Sequence, residues 1–251
     1  MRSALPVVID PPSADVPIHV DQPNVSASVV FRKPVDGPGQ LFVRGPITAA
    51  GYASTDGPRP LCAVARLRPG YGSAALGPAD AAELVDRSVP LAEFWGDRAD
   101  RLAAELSELW PDPARVAARL EDALLQRISS ADGSTPYRAL LDSAQHALTS
   151  DTGRGGVGAI ARDLAISERH LRTLFHTEIG LSPKLFARIA RVRRAARAAT
   201  AGVALSDVAR ESGYYDQAHM TTDFRRIMGI SPAAFVSGGR PAPRLCAGPP
   251  P

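Results

Sequence analysis

The sequence is poor in the residues that build metal sites and disulfides. Its 251 residues include only two cysteines, Cys62 and Cys246, and five histidines. Two cysteines are too few for an all-cysteine zinc site. Their places, in an apolar run and in a Pro/Gly-rich tail, favour a buried small residue and an incidental thiol over a disulfide. His170 and His176 are six residues apart and fall on different faces of a helix, so we expect no shared metal.

Long apolar runs and catalytic motifs are also missing. No run approaches the length that spans a membrane, and the N-terminus reaches proline and aspartate before a signal-peptide core can form. A cytoplasmic protein is the expectation. No nucleophile elbow, paired catalytic carboxylates or phosphate loop occurs. The G-x-G-x-x-G pattern at 153–158 follows no strand and is interpreted as a loop. We therefore expect no enzymatic activity and no cofactor.

Charge is present but unevenly distributed along the chain. Residues 1–136 carry 13 Lys and Arg against 17 Asp and Glu, whereas residues 137–239 carry 14 against 9. An acidic front half joined to a basic back half is the asymmetry expected if only the back half meets phosphates.

Composition divides the chain into two domains. Residues 1–15 are Pro-rich and read as a disordered arm; 16–130 form a sensor or dimerisation domain; and the polar segment 131–136 is a linker. Residues 137–236 read as helix and turn, and 237–251 as a disordered tail. The fold class is α+β, with a small antiparallel sheet in front of an all-α domain.

The front domain is predicted to contain strands followed by amphipathic helices. Val/Ile/Phe-rich runs at 25–31, 41–45, 47–52 and 61–67 are separated by turn clusters. Helical patterns at 97–110 and 113–128 each place a leucine-rich stripe on one face. These helices either cover the sheet or offer their leucine rows as a homodimer surface through 97–128, and the sequence leaves both alternatives open.

The most informative pattern is a repeat in the back half. Gly180-Leu-Ser-Pro is followed forty-nine residues later by Gly229-Ile-Ser-Pro. Before each copy an alanine precedes a large apolar residue, by ten positions from Ala161 to Leu171 and by eleven from Ala209 to Met220. The next two intervals, to Phe and to Gly, are identical in both copies. A repeated helix-turn-helix explains this pattern.

Each unit is predicted to present a polar helix face suited to the major groove. In the first unit Ser167 caps a helix that exposes arginines able to bond guanine in a bidentate way. In the second, Gly213 makes the turn, Asp216 caps the helix, and Asp223 is expected at its exposed surface, where it repels phosphate. Ser206 is expected to cap the helix before that turn.

A long arginine-bearing helix is predicted to connect the two units. Ser182 caps it, Pro183 opens it, and Gly202 closes it. For its arginines two interpretations remain open, phosphate clamps and a solvated face. They are Arg188, Arg191, Arg193, Arg194 and Arg197.

The run from Phe186 to Arg197, with Val208-Ala209, Gly213-Tyr214, Asp216-Gln217, Phe224-Arg-Arg226, Gly229 and Ser231-Pro232, resembles the AraC/XylS transcription regulators. The resemblance covers 137–236. It implies double-stranded DNA as the partner, read by one polypeptide through two recognition helices in adjacent major grooves. Carried over by position, the base-facing residues are Arg169, Arg172, Thr173, Gln217, Ala218, His219 and Thr222.

Two departures from the family and one weaker resemblance complete the expectations. Ala198-Ala199 stands where the family usually has a leucine pair, and Thr222 where a basic or larger polar residue is common. The front half is similar to a shortened cupin-like sensor domain, which implies control by a small-molecule effector. RNA polymerase is a candidate partner of any such regulator. A protein-interaction adaptor on a degenerate helix-turn-helix scaffold is the alternative function.

Overall fold

The computed structural model describes residues 7–10, 18–54, 61–131, 137–150 and 156–241. Within them an N-terminal part carries two antiparallel sheets, and a C-terminal part is entirely helical. The predicted α+β class is therefore confirmed. No helix among these residues is long and apolar enough to cross a membrane.

The described residues of the N-terminal part contain seven strands. The larger sheet has the order β1-β6-β3-β4-β7, and β2 pairs with β5 separately. The strands are β1 (Val7–Asp10), β2 (Ile18–Asp21), β3 (Ser28–Lys33), β4 (Gln40–Arg44), β5 (Gly51–Ser54), β6 (Leu61–Leu67) and β7 (Ser88–Pro90).

Alternation along β3 and β6 gives the large sheet one buried face. Val29 pairs with Ala65, and Phe31 pairs with Ala63, and all four side chains are buried. Small alanines opposite large residues let helices lie close to the sheet. Cys62 directly precedes Ala63 on β6 and is exposed, so the prediction of a buried cysteine was wrong. Cys246 lies outside the described residues.

Eleven α-helices lie in the described parts of the chain. They are α1 (Gly72–Leu76), α2 (Ala92–Trp95), α3 (Asp97–Glu108), α4 (Pro113–Ser130), α5 (Arg138–Thr149), α6 (Gly156–Asp163), α7 (Glu168–Ile179), α8 (Pro183–Thr200), α9 (Leu205–Glu211), α10 (Gln217–Met228) and α11 (Pro232–Val236). A 3₁₀ turn at Ala81–Leu84 precedes β7.

The leucine stripes of α3 and α4 pack inside the N-terminal domain. Leu102, Leu106, Leu120 and Leu124 are all buried in the cluster that includes the inward face of the sheet. The helices cover the sheet, as the first interpretation held. These four buried leucines offer no exposed row to a second copy, so a homodimer through 97–128 would need other side chains and stays a prediction.

Part of each predicted terminal segment lies among the described residues. Val7 to Asp10 lie within the predicted disordered arm, yet they pair with β6 along four residue positions. The prediction fails there because an edge of β6 was available for pairing, which composition cannot show. At the other end the Arg240 guanidinium lies 4.8 Å from the Phe235 ring centroid. Residues 132–136 of the predicted linker and 242–251 of the tail lie outside the described residues.

The helical domain has its own core, which the N-terminal part touches directly. That core draws on all of α5 to α11, and Val25, Ala50 and Val85 from the N-terminal part pack against it. The boundary between the sheet region and the helices is therefore a packed interface.

Candidate nucleic-acid interface

Two helix-turn-helix units stand on either side of α8. In the first, α6 turns into α7; in the second, α9 turns into α10. Helix α8 contacts α5, α7, α9, α10 and α11, so it connects the units and carries much of the common core. Its buried anchors include Ile189 and Val192.

The turns of the two units have the same backbone geometry with different residues. Ala165 adopts a φ of 55° in the first turn, and Gly213 a φ of 79° in the second. The backbone N–H of Ile166 donates to the Ala161 carbonyl at 2.9 Å, and that of Tyr214 donates to the Ala209 carbonyl at 3.0 Å. Glycine takes a left-handed conformation freely, whereas alanine is strained there.

Side-chain caps set the start of each recognition helix. The Ser167 hydroxyl accepts from the His170 N–H at 3.0 Å, and the Asp216 carboxylate accepts from the His219 N–H at 2.7 Å. Both predicted caps are confirmed. The predicted Ser206 cap was wrong, since α9 begins one residue earlier after Ala204, which has no side-chain cap.

The repeated Gly-X-Ser-Pro motif ends one helix and begins the next. Gly180 and Gly229 close α7 and α10 in the left-handed region, with φ of 82° and 73°. Ser182 and Ser231 then cap α8 and α11, each with proline at the first helical turn. Positive φ favours glycine, and a proline at the helix start costs no hydrogen bond.

All seven predicted base-facing residues lie on exposed helix surfaces. Those of the first unit lie along α7, and those of the second along the first two turns of α10. They are Arg169, Arg172, Thr173, Gln217, Ala218, His219 and Thr222. The exposed polar surface of α7 and α10 formed by these residues is called the reading surface below.

Some of these side chains already have intramolecular partners. Arg172 forms a salt bridge with Glu168 one turn earlier, although its side chain stays 64% exposed. The Thr222 hydroxyl donates to the Ala218 carbonyl at 3.0 Å. The His219 ring packs edge-on against Tyr214, with centroids 5.3 Å apart. Rotation of exposed side chains is cheap, so these contacts leave Arg172 and Thr222 free to exchange partners.

Asp223 occupies a different place from the one its sequence position predicted. Its side chain is only 11% exposed and lies 3.3 Å from Arg188 and 3.9 Å from Arg191, both on α8. The expectation that it faces and repels phosphate was wrong. Residues at positions i and i+3 of α8 reach one carboxylate across the helix packing, which ties the second recognition helix to the connecting helix.

Tyr214 completes this buried group. The Arg191 guanidinium lies 5.5 Å from its ring centroid. Burial, with the Asp223 carboxylate nearby, raises the pKa of the Tyr214 hydroxyl to about 12. The hydroxyl therefore stays neutral at physiological pH and adds no charge beside Asp223.

The arginines of α8 mostly bind within the chain. Besides Arg188 and Arg191, the Arg193 guanidinium donates to the Asn24 side-chain oxygen at 3.2 Å, and Arg194 donates to the Thr149 carbonyl. Arg197 is exposed. The other four arginines therefore connect neighbouring elements, so the interpretation of a freely solvated face is wrong for them, and the phosphate-clamp interpretation stays a prediction.

The N-terminal part contacts both recognition helices at their C-terminal ends. The Ala50 N–H donates to the Ile227 carbonyl at 2.7 Å, and the Tyr52 hydroxyl donates to the Met228 carbonyl at 2.6 Å. The last carbonyls of a helix lack partners within it, so these bonds satisfy α10 from outside. On α7, Glu178 accepts from the Ser73 hydroxyl at 3.3 Å.

A small cavity lies where α7 meets the N-terminal part. Its volume is about 30 Å³, and its lining includes Val25, Leu76, Leu84 and Ile179. A space of that size admits water molecules.

Comparison with known proteins assigns the helical region. Residues 160–237 match a family model described as a helix-turn-helix domain. No curated protein sequence matches the chain.

Three of the solved structures that match this chain are the following. A ToxT variant from Vibrio cholerae has 9% identity and a TM-score of 0.49, with 94% of this chain and 99% of that chain covered. The C-terminal domain of AraT, a response regulator from Geobacillus stearothermophilus, has 20% identity, a TM-score of 0.38, and 46% and 94% coverage. A probable AraC family transcriptional regulator from Rhodopseudomonas palustris has 21% identity, a TM-score of 0.35, and 43% and 100% coverage. The family model and the two capped units identify residues 160–237 as a helix-turn-helix domain.

Proposed function

We propose that the protein is a sequence-specific DNA-binding transcription regulator that places α7 and α10 in adjacent major grooves. The observation that carries the proposal is the reading surface itself. Two helices with equivalent caps and turns, on one rigid connecting helix, each leave a polar face in solvent. Recognition helices of this class enter the major groove and contact base edges near their N-termini.

Division of labour within the reading surface follows from side-chain chemistry. Arg169 and Arg172 are able to make charge-assisted, bidentate bonds to guanine. The second unit offers Gln217, His219 and Thr222, whose bonds are fewer and weaker. We infer that the first unit dominates sequence choice. Asp223 is nearly buried and does not enter this ranking, which rests on the difference between the arginines of the first unit and the side chains of the second.

Control by the N-terminal domain extends the proposal. The bonds from Ala50 and Tyr52 to the end of α10, and from Ser73 to α7, connect that domain to both units. A small-molecule effector that changes the packing of the sheet would shift these contacts and thereby DNA affinity. Such a regulator acts in the cytoplasm and has RNA polymerase as a natural second partner.

The alternative function, a protein-interaction adaptor, differs from DNA binding in whether it requires the exposed arginines. An adaptor needs no positive reading face, whereas DNA binding needs one because phosphates supply most of the affinity. Arg169 and Arg172 on one exposed face favour DNA.

The test is binding of the full chain to a random duplex pool at several salt concentrations. We expect affinity to fall by about tenfold or more between 50 and 200 mM salt, because bound phosphates release counterions. Replacing Arg169 and Arg172 by alanine should reduce binding. Removing the same charge from exposed Arg98 and Arg101 on α3 should not. Absence of binding at low salt, or equal losses from the two double variants, would refute the proposal.

A further inference from the structure

The side chain of Tyr215 lies almost entirely in solvent. Its side chain is 95% exposed, although its neighbour Tyr214 is only 6% exposed and packs in the core. A tyrosine ring held in water forgoes the burial that usually stabilises aromatic residues. Single exposed apolar side chains are common, so exposure by itself assigns no role.

The repeat shows that Tyr215 is an inserted residue. The interval from Ala161 to Leu171 is ten residues, and that from Ala209 to Met220 is eleven. Hydrogen bonding makes Ile166 and Tyr214 equivalent, since each donates its N–H to the carbonyl five residues earlier.

The helix caps then locate the extra position. Ser167 follows Ile166 directly, whereas Asp216 follows Tyr214 after one more residue, which is Tyr215. Ile166 is partly buried against the helical core, and Tyr214 is buried within it. The insertion therefore adds a side chain that neither unit needs for packing, immediately before the second recognition helix.

We propose that Tyr215 contacts the DNA backbone beside the second half-site, with its hydroxyl donating to a phosphate oxygen and its ring lying against a deoxyribose. The inference rests on the proposed DNA-binding function and deepens it. The N-terminal turn of a recognition helix is the part that approaches the groove, so a side chain one residue before the cap reaches the groove edge, where phosphates lie. Tyrosine is among the side chains that bond phosphates, and such contacts position a protein without reading sequence.

This contact offsets the weaker chemistry of the second unit. That unit presents neutral residues at Gln217, His219 and Thr222, so an added neutral anchor would hold α10 in the groove. Tyr215 carries no charge to release a counterion, and its contact should therefore leave the salt dependence of binding almost unchanged.

The experiment compares full-length Tyr215→Phe and Tyr215→Ala with the wild type on its selected operator and on a random duplex. We expect Tyr215→Phe to weaken binding to both duplexes by about three- to tenfold, the effect of one hydrogen bond. Tyr215→Ala should weaken both at least as much, with an unaltered salt slope. Thermal unfolding should not change, since the side chain is almost fully exposed. Tyr71→Phe, which removes a hydroxyl from a half-buried tyrosine of the N-terminal part, is the control and should bind as the wild type does.

Each outcome decides the matter. If Tyr215→Ala binds both duplexes as the wild type does, the backbone contact is refuted. Loss of preference at one base pair would make Tyr215 a base reader and overturn the phosphate assignment. Intact DNA binding with lost transcription in a reconstituted assay would reassign Tyr215 to a protein partner. Failure of the wild type to bind DNA refutes the proposed function instead, so the two failures are distinguishable.

Discussion

At the scale of the residue, Asp223 is the position where structure most changes the interpretation of the sequence. Its carboxylate is nearly buried between Arg188 and Arg191 of α8. A buried ion pair adds little net stability compared with an apolar pair. Removing one partner, however, leaves the other charges buried without compensation. Asp223 therefore matters because two guanidinium groups depend on it.

We expect Asp223→Ala to lower the free energy of unfolding by about 2–3 kcal/mol, below the range for fully buried pairs because both arginines are partly exposed. Urea denaturation measures this change. Asp207→Ala is the control, since Asp207 also pairs with an arginine, Arg210, but at the surface. An exposed pair is worth about 0.5 kcal/mol or less. Equal urea midpoints for the two variants would show that Asp223 contributes no more to stability than the exposed Asp207.

At the scale of the element, the two turns provide a matched pair for measuring backbone strain. Ala165 and Gly213 occupy equivalent positions with positive φ, and each donates its N–H to an arginine carbonyl three residues earlier. The first unit therefore bears a strain that the second avoids.

Ala165→Gly should raise the free energy of unfolding by about 0.5–1 kcal/mol, because relief of left-handed strain exceeds the entropy cost of glycine. The reciprocal Gly213→Ala should lower it by about 1 kcal/mol. Thermal unfolding of both variants tests whether the first substitution raises the stability and the second lowers it. A lower melting temperature for Ala165→Gly would show that the alanine conformation is not strained.

The limits of sequence prediction also follow from particular elements. Caps at Ser167, Asp216 and Ser182 were predictable because their signals are local. The partners of Asp223 and of Arg193 were not, because they depend on how α8 meets α10 and the N-terminal part. Cys62 and the strand at Val7–Asp10 were missed for the same reason, since sheet pairing decides which face is covered.

At the scale of the whole molecule, the N-terminal part and the first unit meet at Gly180. A Cβ at this glycine would lie 2.3 Å from the Ala81 carbonyl oxygen, across the domain boundary. At the equivalent Gly229, the nearest atom would be Pro241 Cγ at an ordinary 3.7 Å. Both glycines have positive φ, so their backbone strain on substitution is matched.

Gly180→Ala should therefore destabilise the protein by about 1–3 kcal/mol more than Gly229→Ala, the cost of forcing packed groups apart. Parallel urea denaturation of the two variants measures the difference. Similar losses of stability in the two variants would mean that the N-terminal part shifts easily at Ala81. The contact at Gly180 would then transmit little from the N-terminal part to α7.

The central claim is that two unequal recognition helices read DNA, and selection of bound sequences from a random duplex pool tests it most directly. For the full-length protein we predict one sharply defined half-site and, about one helical turn away, a degenerate one. Arg169→Ala with Arg172→Ala should abolish the sharp half, whereas Gln217→Ala with His219→Ala should only weaken binding. Two equally sharp halves, a greater loss from the second pair, or no enriched sequence at all would contradict the account.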